Sequence, residues 1–158
     1  MDREQFIRLA TRNMEDLRRL LTALCCGDRQ LADDLAQDSL LKAYVQSDSL
    51  KNAEKFRSWL FRIAYTTFLN NKRAQRILDD YDAARTIVSD AETDSAFRYQ
   101  ELYDALNRLG ATERTAVALF YLEGYSIKEV ASIISASPDA VKQHIYRGRQ
   151  HLRQFLKP

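Results

Sequence analysis

Glycine and proline are scarce in this chain, four and two among 158 residues. A sheet protein needs such residues in the turns between short alternating strands, and no run between polar clusters alternates in that way. The expected fold class is therefore all-α. No apolar run approaches the twenty or so residues that cross a bilayer, and no apolar stretch follows a basic N-terminal segment. Membrane insertion and secretion are not expected, and a cytoplasmic location is. The two cysteines, Cys25 and Cys26, are adjacent, which leaves no disulfide framework to build. They read as small core or helix-end residues.

Catalytic constellations are missing as well. No acid/base pair, nucleophile triad or glycine-rich phosphate loop can be assembled from the motifs, so no enzyme and no cofactor are expected. The two histidines, His144 and His151, stand seven apart without a cysteine or carboxylate to complete a metal set. Asp34 and Asp38 share a helix face, but a hard cation demands more oxygen ligands than that helix offers.

What is present is apolar and charged in pattern. Apolar residues make up 46% of the chain, enough for a core, and the net charge is only +2. Its distribution is uneven: residues 79 to 95 hold six acids against one arginine, while the segments on either side are weakly basic. Two small helical domains, residues 1–78 and 96–158, joined by an acidic linker over 79–95, are expected.

Near the C-terminus Ser126 precedes Glu129 by three residues, the spacing of a capping box that starts a helix at Ile127. Ile127, Val130, Ala131 and Ile134 give that helix one apolar face. Ser135-Ala136-Ser137 breaks it, and Ser137-Pro138 reads as the N-cap and first residue of a second helix. Two helices with a three-residue turn form a helix-turn-helix. In the second, Val141, Ile145, Gly148, Leu152 and Phe155 face inward, and the other side carries amides, cations and Tyr146. Those are the groups a major-groove helix uses on base edges and phosphates. A helical hairpin with a basic solvated face is the plainer alternative.

Upstream, apolar positions predict helices over Asp2–Leu24 and Arg29–Gln46, the second burying Leu31, Leu35, Leu41 and Tyr44. Ser47–Ala53 reads as a polar loop, followed by a long helix from Glu54 to Leu78. In that helix Phe56, Trp59, Leu60, Ile63, Ala64, Thr67 and Phe68 form the core stripe. Phe61, Tyr65 and Leu69 lie off it and interleave with Arg57, Arg62, Lys72, Arg73 and Arg76, a pattern suited to distorted or single-stranded nucleic acid. A helix marked by Phe97, Leu102, Leu106 and Leu109 ends at Gly110. Thr112 is then expected to cap a helix from Glu113 to Glu123.

Three of these stretches taken together carry a family resemblance. Asp33-Asp-Leu-Ala-Gln-Asp-Ser-Leu-Leu-Lys-Ala-Tyr44, then Phe56-x-x-Trp-Leu-x-x-Ile-Ala64 with Lys72-Arg73, then Gly124-Tyr-Ser-x-x-Glu-Val-Ala131 with Val141-Lys142 and Arg147-x-Arg149, resemble the extracytoplasmic-function (ECF) sigma factors of bacterial RNA polymerase. The resemblance implies that residues 1–78 are sigma region 2 and residues 96–158 sigma region 4. It implies core RNA polymerase, through its β′ clamp coiled coil and β flap, and promoter DNA as partners, and an anti-sigma factor as regulator. Asp34, Gln37, Asp38 and Leu41 would bind polymerase. Ser49, Lys51, Asn52, Lys55, Arg62, Thr66, Asn70 and Arg73 would melt and read the minus-ten element. Ser137, Lys142, Gln143, His144, Tyr146, Arg147 and Arg149 would meet the minus-thirty-five element. Thr66 and Asn70 depart from the family's usual Asn and Asp, and Ala140, Gln143 and His144 from its Thr, Ser and Arg. Ser135 stands where the family's turn often has Gly. A helix-turn-helix regulator of the response-regulator output type, acting without polymerase, is the alternative function.

Overall fold

In the computed structural model, which describes residues 1–81 and 94–156, seven α-helices account for most of the chain. The central segment of the acidic linker, residues 82 to 93, lies outside the described residues. Helix α1 (Arg3–Leu24) starts where the Asp2 carboxylate accepts the Gln5 amide, and α2 (Arg29–Val45) where Asp28 accepts that of Leu31. The turn between them carries two residues in the left-handed region, Cys26 at φ 54° and Gly27 at φ 90°. Only glycine fits at 27 for a second reason. A Cβ there would sit 2.7 Å from the Tyr103 ring.

Two 3₁₀ turns, Ser47–Ser49 and Ala53–Lys55, bracket an extended strip and lead into α3 (Phe56–Tyr81), three residues longer at its C-terminus than periodicity predicted. Helices α1, α2 and α3 pack together around Leu17, Leu20, Leu21, Leu24, Leu35 and Leu60. The exposures of Leu41 (66%) and Tyr44 (45%) correct the expectation that α2 buries them. Leu41 lies on the side of α2 that neither α1 nor α3 covers, whereas Tyr44 meets the Phe6 ring of α1 edge-on at 5.2 Å and is only partly covered by it.

After α4 (Asp94–Asn107), Gly110 rather than Thr112 occupies the N-cap of α5 (Ala111–Val117). Thr112 instead places its hydroxyl 3.5 Å from the Tyr65 hydroxyl. Helix α5 runs into a π-helical turn, Ala118–Leu122, in which the Glu123 amide reaches back to the Ala118 carbonyl. The wider turn changes the register, and Glu123 is buried where the α-helix ends.

Helices α6 (Ile127–Ile134) and α7 (Pro138–Phe155) begin as their sequences require. Ser126 and Glu129 complete the capping box, and Ser137 accepts the Ala140 amide with Pro138 in the first turn. Ser135, at φ 56° and ψ 48°, makes the left-handed turn that glycine would make without strain. Gly148 allows α7 to cross α5 closely: a Cβ there would meet Val117 Cγ2 at 2.5 Å.

The two halves share a core. Phe61, Tyr65 and Phe68 of α3 belong to one contiguous buried cluster with Leu119, Tyr125, Val130 and Ile134. This corrects the reading of Phe61 and Tyr65 as part of a nucleic-acid face. Their second stripe is covered by the C-terminal half, in particular by α6, which touches α3 as well as α5 and α7. Ile133, off the predicted apolar face of α6, is also buried.

Candidate nucleic-acid interface

Helix α7 presents Lys142, Gln143, Tyr146, Arg147 and Arg149 to solvent, with Tyr146 63% exposed. Lys142, Tyr146 and Arg149, at spacings of four and three, lie along one line, and Gln143 and Arg147 along the next. Val141, Ile145 and Gly148 hold the opposite side against α5 and α6. His144 is half-buried, and its Nδ1 is buried without a hydrogen-bond partner. The Ser137 hydroxyl is committed to the cap. His151 pairs with Glu113 at 3.1 Å and stacks on Phe155, so it ties α7 to α5.

A second polar surface runs from the 3₁₀ turns onto α3. Ser49, Lys51, Asn52 and Lys55 are all exposed. Asn52 caps the second turn by accepting the Glu54 amide, and Ser49 donates to the Gln46 carbonyl, so the loop is tied at both ends. Arg62, Thr66, Asn70 and Arg73 are exposed at intervals of four, four and three, which aligns them on one face of α3. Lys72 does not join them. It is half-buried over the Phe68 ring, and burial followed by the nearby Arg114 lowers its pKa.

A third exposed surface lies on α2. Asp34, Gln37, Asp38 and Leu41 follow at three, one and three residues along one side, and Tyr44 and the 82% exposed Val45 extend it with apolar area. A large exposed apolar residue beside carboxylates is chemistry for a protein partner rather than for DNA.

Two polar clusters invisible to periodicity hold the halves together. Arg114 is 2% exposed and has no carboxylate partner among the described residues. Its guanidinium donates to the carbonyls of Leu106 (2.8 Å), Leu24 (2.7 Å), Leu109 (3.0 Å) and Asn107 (3.3 Å). It caps the C-terminal ends of α1 and α4 at once, where the helix dipoles favour a cation.

The other cluster centres on the fully buried Glu123 carboxylate. Arg19 donates to it twice, at 3.0 and 2.8 Å, and Arg57 once, at 2.7 Å. Asp16 holds both arginines from below, at 2.9 and 3.0 Å. The Arg57 guanidinium lies 4.8 Å from the centres of both the Phe61 and Tyr125 rings. Hydrogen bonding to Glu123 raises the Arg19 pKa. For Arg57, burial pulls down, but the bonds to Asp16 and Tyr125 and the charge of Glu123 outweigh it.

Comparison with known proteins agrees with this layout. Residues 9–77 match the sigma-70 region 2 family and residues 99–152 the sigma-70 region 4 family. The chain is 32% identical to the ECF RNA polymerase sigma factor SigW of Bacillus subtilis over 148 residues, 83% of this chain and 78% of that protein. It is 28% identical to the ECF RNA polymerase sigma-E factor of Haemophilus influenzae, over 99% of this chain and 90% of that one. In three dimensions it resembles the sigma factor RpoE of Bartonella quintana, solved with the anti-sigma factor NepR, at a TM-score of 0.80, 28% identity and 96% coverage of both chains. The N-terminal match accounts for the half that a free-standing helix-turn-helix regulator would leave unexplained. Among the described residues no helix is long and apolar enough to cross a membrane.

Proposed function

Since the chain belongs to the ECF sigma factors, which direct bacterial core RNA polymerase to specific promoters, we propose that its three exposed faces divide that work in the cytoplasm. Residues 1–78 act as region 2 and residues 96–158 as region 4. The α2 face of Asp34, Gln37, Asp38 and Leu41 grips the β′ clamp coiled coil. The tied loop with Ser49, Lys51, Asn52 and Lys55, continued by Arg62, Thr66, Asn70 and Arg73, opens and reads the minus-ten element. Extruding a base from the stack costs a few kcal/mol, which cations and a shaped loop can recover. The α7 face reads the minus-thirty-five element, with Arg147 and Arg149 on phosphates and Lys142 and Gln143 on base edges, while region 4 also meets the β flap. The chain has no catalytic activity of its own.

The observation that carries this reading is that all three faces are exposed and distinct, one acidic and apolar, two polar and basic. The likeness to a sigma factor held by NepR supports an anti-sigma factor among the partners. The test is binding of the purified chain to core polymerase, followed in the same tube by transcription from a promoter library. Stable binding with new start sites is expected, and affinity for duplex DNA without polymerase binding overturns the reading. Asp34→Arg with Asp38→Arg is expected to abolish polymerase binding at unchanged helicity.

A further inference from the structure

The DNA-facing line of α7 borders a hollow that none of the contacts above fills. Between α7 and the π-helical turn lies an open space of about 180 Å³. Its floor is apolar, made by the half-buried Phe120 and Ile127 and the buried Ile145. Phe120 and its neighbour Tyr121 both line it, their rings meeting edge-on at 5.0 Å. Tyr121 and Tyr146 stand at its rim, 50% and 63% exposed. Lys142 and Arg149, both exposed, complete the rim. Neither cation has a carboxylate partner among the described residues.

We propose that this hollow reads one thymine of the minus-thirty-five element by taking up its 5-methyl group, with Tyr121 and Ile127 as specificity-determining side chains. This rests on the assignment of α7 to that element above. The thymine methyl is the one apolar substituent that base pairs present in the major groove, where the other groups are hydrogen-bond donors and acceptors. The outward side chains of α7 are amides, cations and a phenol, which suit those donors and acceptors, and the hollow supplies the apolar counterpart. Lys142 and Arg149 lie about 10 Å apart along the helix axis, so a nucleotide seated between them meets a cation on either side. An apolar side chain of a protein partner fits the same space, but two cations at the rim match a phosphate backbone better. The hollow is also continuous with the DNA-facing line, because Lys142, Tyr146 and Arg149 belong to both. Tyr121 and Ile127 come from the segment before α7, so the recognition helix alone does not define what is read.

The test uses this chain bound to core polymerase on a promoter recovered from the library, with each thymine of the minus-thirty-five element, on either strand, replaced in turn by deoxyuridine. That exchange keeps base pairing and removes only the methyl group. At one position it is expected to weaken binding about three- to fivefold, the worth of one buried methyl group. In Tyr121→Ala and Ile127→Ala the same exchange is expected to change binding by less than about 1.5-fold, because the hollow no longer closes on the methyl group. Should Ile127→Ala lose helicity, Tyr121→Ala, at an exposed residue, decides alone. Binding indifferent to every methyl group, or an element without thymine, overturns the proposal. So does a methyl effect of the same size in the variants, which puts the contact elsewhere. A variant with lowered affinity for core polymerase in the absence of DNA assigns the hollow to a protein side chain and overturns it too. A library that yields no promoter refutes the assignment of α7 and the role of the hollow with it, whereas methyl-indifferent binding to an active promoter refutes the role of the hollow alone.

Discussion

Replacing Arg114 with methionine keeps the length of the side chain and removes its fork of donors. In the structure that fork satisfies Leu24 at the end of α1 and Leu106 and Leu109 at the end of α4 at 2.7 to 3.0 Å, with Asn107 at the longer 3.3 Å. Each buried carbonyl left without a donor costs about 1–3 kcal/mol. Against three such losses stands the relief of no longer burying a cation, so a net destabilisation of about 3–5 kcal/mol follows. That is a large part of the roughly 5–15 kcal/mol that holds a domain folded, and corresponds to a fall in melting temperature of about 10 °C. Urea unfolding followed by circular dichroism measures it. Because Arg114 bonds both α1 and α4, the wild type is expected to unfold in one transition, and the variant to lose stability in both halves. Arg114→Lys discriminates the cause. If charge at the helix ends dominates, lysine rescues most of the loss; if the planar fork dominates, it rescues little. A loss below about 1 kcal/mol for methionine, the mildest figure for a single orphaned carbonyl, refutes the capping argument.

Gly148→Ala drives a methyl group into Val117 and is expected to cost about 1–3 kcal/mol, read as a lowered urea midpoint; an unchanged midpoint shows that α5 and α7 can part freely. Arg147→Ala and Arg149→Ala are each expected to lower the slope of log affinity against log salt by about one phosphate's worth, measured on promoter DNA, and an unchanged slope removes that arginine from the phosphate contacts. Burial, then Asp28, pushes the Cys25 thiol up to about 12. An unfolded thiol near 8.5 loses its proton first, so this contribution is fully present below that pH and declines as pH rises toward 12. The stability gap between wild type and Cys25→Ala is therefore expected to move against the wild type between pH 8 and pH 10.5, and a gap independent of pH contradicts a buried thiol.

Local chemistry was the most legible part of the chain. Ser126 with Glu129, Ser137 with Pro138, Asp28 and Gly124 mark helix ends through groups within three residues of one another, and such information is complete in a short stretch of sequence. The exposed faces of α3 and α7 were legible for the same reason, since spacing alone decides which residues share a side. Apart from the N-cap of α5, which falls on Gly110 and not on Thr112, the misreadings concern what lies opposite a face. Phe61 and Tyr65 fall outside the main stripe of α3 and alternate with cations, so they resemble a stacking surface; a helix covered on two sides by different partners produces the same pattern. Leu41 and Tyr44 follow core spacing in α2, but Leu41 stays largely exposed and Tyr44 is covered only in part, by the Phe6 ring. Arg114 and Glu123 carry no spacing signal, because their partners are backbone carbonyls and arginines of distant helices.

The two aromatic faces of α3 have a further consequence. If the halves stayed closed, the second face would simply be core. If they open on polymerase, Phe61 and Tyr65 lose their cover and leave apolar rings beside Arg57 and Arg62, next to the minus-ten face. Exposure of two such rings is costly, at roughly 25 cal/mol per Å² of apolar area, unless polymerase or promoter DNA covers them.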